Sequence, residues 1–69
     1  MKIDKVKIET ILADQGKTKT ELSTVCGLSR QNVSTIINRG TCEPKTAGKL
    51  AAGLGVPVSE IIKEEQNDN

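Results

Sequence analysis

Apolar residues recur at helical spacing along most of the chain, in stretches separated by glycines. The first stretch predicts a helix over roughly residues 3–14, which Gly16 ends because glycine readily takes the left-handed conformation found at helix C-termini. Thr18 followed by Glu21 has the spacing of a capping box and predicts the start of a second helix. The apolar positions of that second helix are Leu22, Val25 and Cys26.

A very short turn joins the second predicted helix to a third. Gly27 is expected to end the second helix, and Ser29 is a typical N-cap residue only two positions later. The third helix carries apolar residues on one face: Val33, Ile36 and Ile37. Its opposite face is polar yet uncharged: Gln31, Thr35 and Asn38. Solvated helix faces more often carry Lys and Glu, so this face indicates a surface that forms hydrogen bonds with a partner.

Two further helical stretches complete the chain. A fourth helix is predicted near residues 45–54, ended by Gly55, and Pro57 is expected at or just before the first turn of a last short helix. The apolar residues of this last helix are Val58, Ile61 and Ile62. The sequence therefore predicts an all-α fold, a compact five-helix bundle forming one domain over residues 1–62. Residues 63–69 are polar and are expected to fray.

Composition and charge narrow the classes of function. The 69 residues include no Phe, Tyr or Trp, so the core of this single small domain must consist of Ile, Leu, Val and Ala. The net charge of +1 is unevenly distributed: residues 1–49 carry nine basic and five acidic side chains, whereas residues 50–69 carry one basic and four acidic ones. A basic body beside an acidic tail is compatible with phosphate contact on one face.

The residue types argue against several kinds of chemistry. With no His, and with Cys26 and Cys42 far apart, the chain has too few of the usual zinc ligands, so we expect no metal. We also expect no cofactor, and no small-molecule ligand is evident. No nucleophile–base pair or paired carboxylates indicate an enzyme. The apolar runs are too short to span a membrane. The cysteines are expected to be free thiols in a cytoplasmic protein without a signal peptide, and a disulfide between them remains an alternative.

The span from Lys19 to Asn38 has the layout of a helix-turn-helix. The small Ser23 lies where the two helices would cross, Gly27 makes the turn, and Val33 and Ile36 would anchor the second helix in the core. Four stretches match one known family: Thr-Glu-Leu-Ser at 20–23, Gly-Leu-Ser-Arg-Gln-Asn-Val-Ser at 27–34, Gly40 with Pro44, and Lys-Leu-Ala-Ala-Gly-Leu-Gly-Val at 49–56. In these stretches the chain resembles the phage repressor and Cro type of bacterial helix-turn-helix regulators, also called the xenobiotic-response-element type, over residues 5–62.

The resemblance implies a lambda-repressor-like fold that binds double-stranded DNA as a homodimer on a palindromic operator, with the third helix in the major groove. It implies three residues that read base edges: Arg30, Gln31 and Thr35. It implies five residues near phosphates: Lys19, Ser29, Asn32, Asn38 and Arg39. Four residues would pair the protomers: Val56, Pro57, Val58 and Ile61. As alternatives, Ser29 and Asn38 cap the third helix and the pairing residues complete the monomer core.

Some positions depart from the family pattern. Lys19 stands where the family commonly has Gln, Lys17 where an apolar residue is usual, and Ile37 where Glu is frequent, and the loop after the third helix is one residue longer. The leading hypothesis is a transcriptional repressor or Cro-like switch of a phage, another bacterial mobile element or its host. The alternative is a protein-interaction module, such as an antitoxin or an adaptor, that keeps the fold without reading DNA.

Overall fold

The computed structural model describes residues 1–63. This part of the chain contains four α-helices: α1 (Lys5–Gln15), α2 (Lys19–Cys26), α3 (Arg30–Arg39) and α4 (Pro44–Leu54). A single 3₁₀ turn follows at Val58–Glu60. The all-α prediction is confirmed for these residues. Of the tail predicted over residues 63–69, Lys63 is exposed and residues 64–69 lie outside the described part.

The prediction of five helices is wrong, since four α-helices are present in residues 1–63. The fifth predicted helix is only the 3₁₀ turn, and Ile62 forms an isolated antiparallel bridge with Ile3. Because Ile62 runs extended to reach Ile3, the chain leaves the helical conformation after one turn.

Helix α1 also begins later than predicted, at Lys5 instead of near residue 3. The carboxylate of Asp4 caps it by accepting hydrogen bonds from the backbone N–H groups of Val6 and Lys7, at 3.0 and 3.2 Å. Ile3 therefore lies outside the helix, although its side chain is only 3% exposed. Its side chain packs into the core from an extended segment that precedes the helix.

Residues 1–4, the N-terminal segment, connect two distant parts of the chain. On one side the N–H of Ile3 donates to the carbonyl of Gly40 at 2.9 Å, and the N–H of Cys42 donates to the carbonyl of Met1 at 2.9 Å. On the other side the N–H of Asp4 donates to the carbonyl of Ile61 at 2.8 Å. The carbonyl of Lys2 accepts from the N–H of Lys63 at 3.1 Å. The segment thus lies between the α3–α4 loop and the end of the described chain.

One core joins all of these elements. Helix α2 packs against both α3 and α4, and α4 also contacts the 3₁₀ turn. The buried apolar side chains are Ile3, Ile8, Leu12, Leu22, Val33, Ile37, Ala47, Leu50, Ala51, Leu54 and Ile61. Val25 was expected among the apolar positions of α2, but it is 60% exposed. Cys26 and Leu22, one and three positions away, face the core instead.

Candidate nucleic-acid interface

The turn between α2 and α3 comprises residues 27–29. Gly27 has φ +74°, a left-handed conformation that L side chains rarely adopt, and its N–H donates to the carbonyl of Thr24. Leu28 extends the cap by donating its N–H to the carbonyl of Ser23 at 3.1 Å. Ser29 then caps α3, since its hydroxyl accepts from the N–H of Asn32 at 3.1 Å. The predicted turn and both of its capping residues are confirmed.

Ser23 is buried in α2, as its place at the predicted helix crossing requires. Its hydroxyl donates to the carbonyl of Thr20 at 2.6 Å, so this polar group is satisfied inside its own helix. A small side chain here allows α2 and α3 to pack closely. Helices α2 and α3 are therefore packed against each other within the protomer.

Helix α3 has one face in the core and one in solvent. Val33 and Ile37 are fully buried, and the predicted anchor Ile36 is half-buried at the edge of the core. The opposite residues, Gln31, Thr35 and Asn38, are exposed. The predicted amphipathic arrangement is confirmed, although Ile37 takes the deeper position that was expected for Ile36.

The exposed face of α3 offers hydrogen-bonding groups to a partner. Thr10 and Thr24 donate their hydroxyls back to helix carbonyls, at 2.7 and 3.2 Å. Within residues 1–63, no comparable bond forms at the side chains of Gln31, Thr35 or Asn38. These amides and hydroxyl can donate and accept outside the molecule, which is the chemistry that base edges require.

The start of α3 carries one positive charge. Arg30 is the first residue of the helix and is exposed, and the first turn of α3 contains no acidic residue. A cation at this end opposes the helix dipole and slightly destabilises the isolated helix. The exposed N–H groups of a helix N-terminus and the guanidinium together favour an anion in front of this turn.

The start of α2 also carries a positive charge, but acidic side chains lie beside it. Lys19 is its first residue, and its Nζ lies 3.4 Å from Oε2 of Glu9 on α1. The predicted capping box is present at the N-terminus of α2. The N–H of Thr18 donates to the Glu21 carboxylate at 2.8 Å, and the Thr18 hydroxyl accepts from the N–H of Glu21 at 3.2 Å. The ion pair with Glu9 was not predicted, because its members lie ten positions apart on two different helices and no local pattern indicates it.

At the other end of α3, Asn38 and Arg39 are exposed in the last turn. Gly40 closes the helix with φ +78° and donates its N–H to the carbonyl of Ile36 at 2.8 Å. The alternative of Asn38 as the C-cap is therefore wrong, because the helix continues one residue beyond it. Arg39 lies at the favourable end of the helix dipole.

The residues expected to pair protomers differ in exposure. Pro57 is exposed, whereas Val56 and Val58 are half-buried against the core. Ile61 is fully buried. Its side chain completes the monomer core, which corrects its assignment to a pairing surface.

Cys26 and Cys42 are both free and half-buried. The thiol of Cys26 donates to the carbonyl of Lys49 at 3.2 Å, and burial raises its pKa. Burial also raises the pKa of the Cys42 thiol, against the lowering effect of the N-terminal ammonium and Arg39. Both thiols are therefore protonated and weakly nucleophilic at neutral pH.

Residues 1–63 were also expected to hold no metal and to span no membrane. No three His, Cys, Asp or Glu side chains in this part of the chain come together as a metal site. None of its helices is both long and apolar enough to cross a membrane.

Comparison with known proteins gives one match. A family model described as helix-turn-helix matches residues 8–61. The matched region begins within α1 and includes α2, α3 and α4 in full. No curated protein and no solved structure matches the chain significantly. The N-terminal segment lies outside the matched region.

Proposed function

Because the chain belongs to the Cro/C1 type of helix-turn-helix proteins, a family of DNA-binding regulators and not of enzymes, we propose that it is a sequence-specific repressor that binds a palindromic operator as a homodimer. The observation that carries this proposal is the exposed, polar and uncharged face of α3, whose opposite face is held in the core. A rigid helix with such a face fits the major groove of B-DNA.

Three side chains on the first two turns of α3 read base edges in this proposal. Arg30 donates a bidentate pair to guanine O6 and N7, and Gln31 pairs in the same way with adenine N6 and N7. Thr35, one turn beyond Gln31, contacts a thymine methyl group or an acceptor. All three are exposed, which supports this assignment.

Phosphate contacts orient the protein without reading sequence. In our proposal they come from the starts of α2 and α3 and from the end of α3: Lys19, Ser29, Asn32, Asn38 and Arg39. The exposure of these side chains, Lys19 being half-buried, supports the assignment. Ser29 holds its helix cap at the same time, because a hydroxyl accepts one hydrogen bond and can still donate another.

Pairing of two protomers would place two α3 helices on successive turns of one DNA face. One protomer alone covers a small interface and is expected to bind weakly, so a homodimer supplies the affinity that an operator needs. Val56, Pro57 and Val58 remain the proposed pairing surface, with Ile61 behind them in the core. A protein that acts on operator DNA works where the DNA is, which for a bacterium, phage or mobile element is the cytoplasm, at the nucleoid when bound.

The test is a selection of duplexes with a random central segment by the purified protein, followed by anisotropy titrations of the selected and a scrambled duplex at two salt concentrations. We expect an inverted repeat whose half-sites are about one helical turn apart, roughly 34–36 Å. Arg30→Ala should relax the preference at one position in each half-site, at a cost of about 1–3 kcal/mol there.

Lys5→Ala is the matched control, because Lys5 is also an exposed first residue of a helix but lies on α1. It removes the same charge and should affect the selected and the scrambled duplex equally. Weak, steeply salt-dependent binding without enrichment would contradict the proposal. Enrichment of a single half-site would contradict the homodimer while leaving base reading intact.

An exposed apolar feature favours a second candidate function. Val6 is 70% exposed, beside an open groove of about 300 Å³ between α1 and the 3₁₀ turn. A protein-interaction module, such as an antitoxin or an adaptor, would bind a segment of its partner in a groove of this kind. If the selection enriches no sequence, this candidate replaces the first one.

A further inference from the structure

The ion pair between Glu9 and Lys19 lies at the edge of the proposed phosphate contacts. Oε2 of Glu9 is 3.4 Å from Nζ of Lys19, and the two side chains are 45% and 34% exposed. Glu9 belongs to α1, whereas Lys19 begins α2. The carboxylate is thus brought to the ammonium by the packing of two different helices.

The start of α2 already has a carboxylate that performs the usual structural roles there. Glu21 accepts the N–H of Thr18 and places negative charge in the first turn of the helix. Glu9 is therefore not required for capping α2 or for balancing its dipole. Glu9 instead pairs with the ammonium of Lys19, which in the proposed function contacts a DNA phosphate.

A phosphate that approaches Lys19 also meets the negative charge of Glu9. Because the carboxylate oxygen lies 3.4 Å from the ammonium, a phosphate in contact with that ammonium would lie within the screening length of about 8–10 Å, and the two anions would repel each other. The three N–H donors of the ammonium can contact both groups, but the carboxylate already offsets its positive charge and repels the phosphate. Glu9 and the DNA backbone thus compete for one cation.

We propose that Glu9 is a built-in counterion that weakens the phosphate contact of Lys19 and so lowers the affinity of the protein for every DNA duplex alike. The inference rests on the proposed function and adds a residue outside the helix-turn-helix to it. Because phosphates carry no sequence information, Glu9 changes how tightly the protein holds DNA and leaves the preferred sequence unchanged.

The experiment compares the full chain with Glu9→Gln, Lys19→Ala and the double variant, by anisotropy titration of the selected and scrambled duplexes over a series of KCl concentrations. Glu9→Gln should tighten binding to both duplexes by about twofold to fivefold per protomer, the range that an exposed ion pair represents. It should also steepen the plot of log K against log salt, by up to about 0.9 per protomer. In the Lys19→Ala background the same substitution should have little effect.

Asp14→Asn is the matched control, since Asp14 is an exposed carboxylate of the same helix. Asp14 lines the groove beside Val6, and within residues 1–63 it makes no ion pair with Lys19. The substitution raises the net charge equally without touching Lys19. Thermal unfolding of each variant checks that the fold is kept.

Three results would overturn the inference: an effect of Glu9→Gln no larger than that of Asp14→Asn, an effect that persists without Lys19, or weaker binding by Glu9→Gln. The last would mean that Glu9 positions Lys19 for the phosphate. Failure of the wild-type protein to select any sequence would instead defeat the proposed function, and this inference with it.

Discussion

At the scale of single residues, Gly53 marks the closest approach of α4 to α2. A β-carbon at this position would lie 2.5 Å from Sγ of Cys26 and 3.2 Å from Cδ1 of Leu22, and the glycine is buried. Gly48, in the same helix, has nothing within 4 Å of a β-carbon. The packing of α4 against α2 therefore requires a glycine at position 53 but not at position 48.

We therefore expect opposite effects from the same substitution at these two sites. Gly53→Ala should lower the free energy of unfolding by about 1–3 kcal/mol, because the thiol or Leu22 must move in a packed interior. Gly48→Ala should raise it by about 0.5–1 kcal/mol, because alanine is the better helix former. Thermal unfolding followed by circular dichroism measures both, at about 4–8 °C per kcal/mol for a domain of this size.

Cys26→Ala provides the control for the mechanism. That variant lacks the Sγ atom closest to the new β-carbon, so Gly53→Ala should lower the free energy of unfolding by less in this background. Equal stability of the two glycine variants would contradict the assigned packing.

The sequence could not distinguish Gly48 from Gly53. Both interrupt an apolar pattern in the same helix, and only the path of α2 shows which one has a neighbour. Ser23 was predictable as a small residue at the crossing because the helix-turn-helix layout fixes its place relative to Gly27. Glu9 was not predictable, since its partner lies on another helix.

At the scale of elements, the helix caps show how local signals shape this fold. Ser29 and Glu43 precede α3 and α4 with the same backbone angles, φ −74° and ψ 153°. The Ser29 side chain caps its helix, whereas Glu43 makes no side-chain cap bond. Helix α4 begins with Pro44, whose missing N–H is no loss at this position.

Replacing Glu43 by serine should supply the absent cap, because the identical backbone geometry directs a hydroxyl toward the N–H of Thr46. We expect Glu43→Ser to raise the free energy of unfolding by about 0.5–1 kcal/mol, and Ser29→Ala to lower it by about 1 kcal/mol. Urea denaturation of the two variants measures these changes. If Glu43→Ser is destabilising, the charge of Glu43 at the helix N-terminus contributes more than a hydroxyl cap.

Elements fixed by near neighbours were predictable, and those fixed by distant ones were not. The capping box of Thr18 and Glu21 and the turn at Gly27 involve residues a few positions apart, so their patterns are visible in the sequence. The region after Pro57 looks equally helical, but Ile62 pairs with Ile3 and only a 3₁₀ turn forms. Nothing near Pro57 in the sequence indicates that pairing.

At the scale of the whole molecule, the N-terminal segment ties the core together. Ile3 is 3% exposed and its backbone N–H reaches Gly40, next to the end of α3. The sequence predicts Ile3 as the first apolar residue of α1, since its spacing to Val6 fits a helix. Its partners at Gly40 and Ile62 are decided by the tertiary fold alone.

Ile3→Ala should lower the free energy of unfolding by about 2–5 kcal/mol, because it removes buried apolar volume from a small core. The expected loss is a large share of the stability of a domain of this size. Val6→Ala is the control: Val6 is 70% exposed, and we expect a change within about 0.5 kcal/mol. Urea denaturation measures the free energy of unfolding of both variants. Equal losses for Ile3→Ala and Val6→Ala would show that the N-terminal segment does not belong to the cooperative core.

The position of the N-terminal segment also has a consequence for the order of assembly. Helices α2 and α3 contact each other across three residues, so little chain entropy is lost when they meet. Residues 1–4 must instead find partners about 40 and 60 positions away, which closes the longest loops of the domain. We expect the chain to fold from its middle outward, with α2 and α3, the helices proposed to contact DNA, docked before the N-terminal segment forms its hydrogen bonds with Gly40 and Ile61.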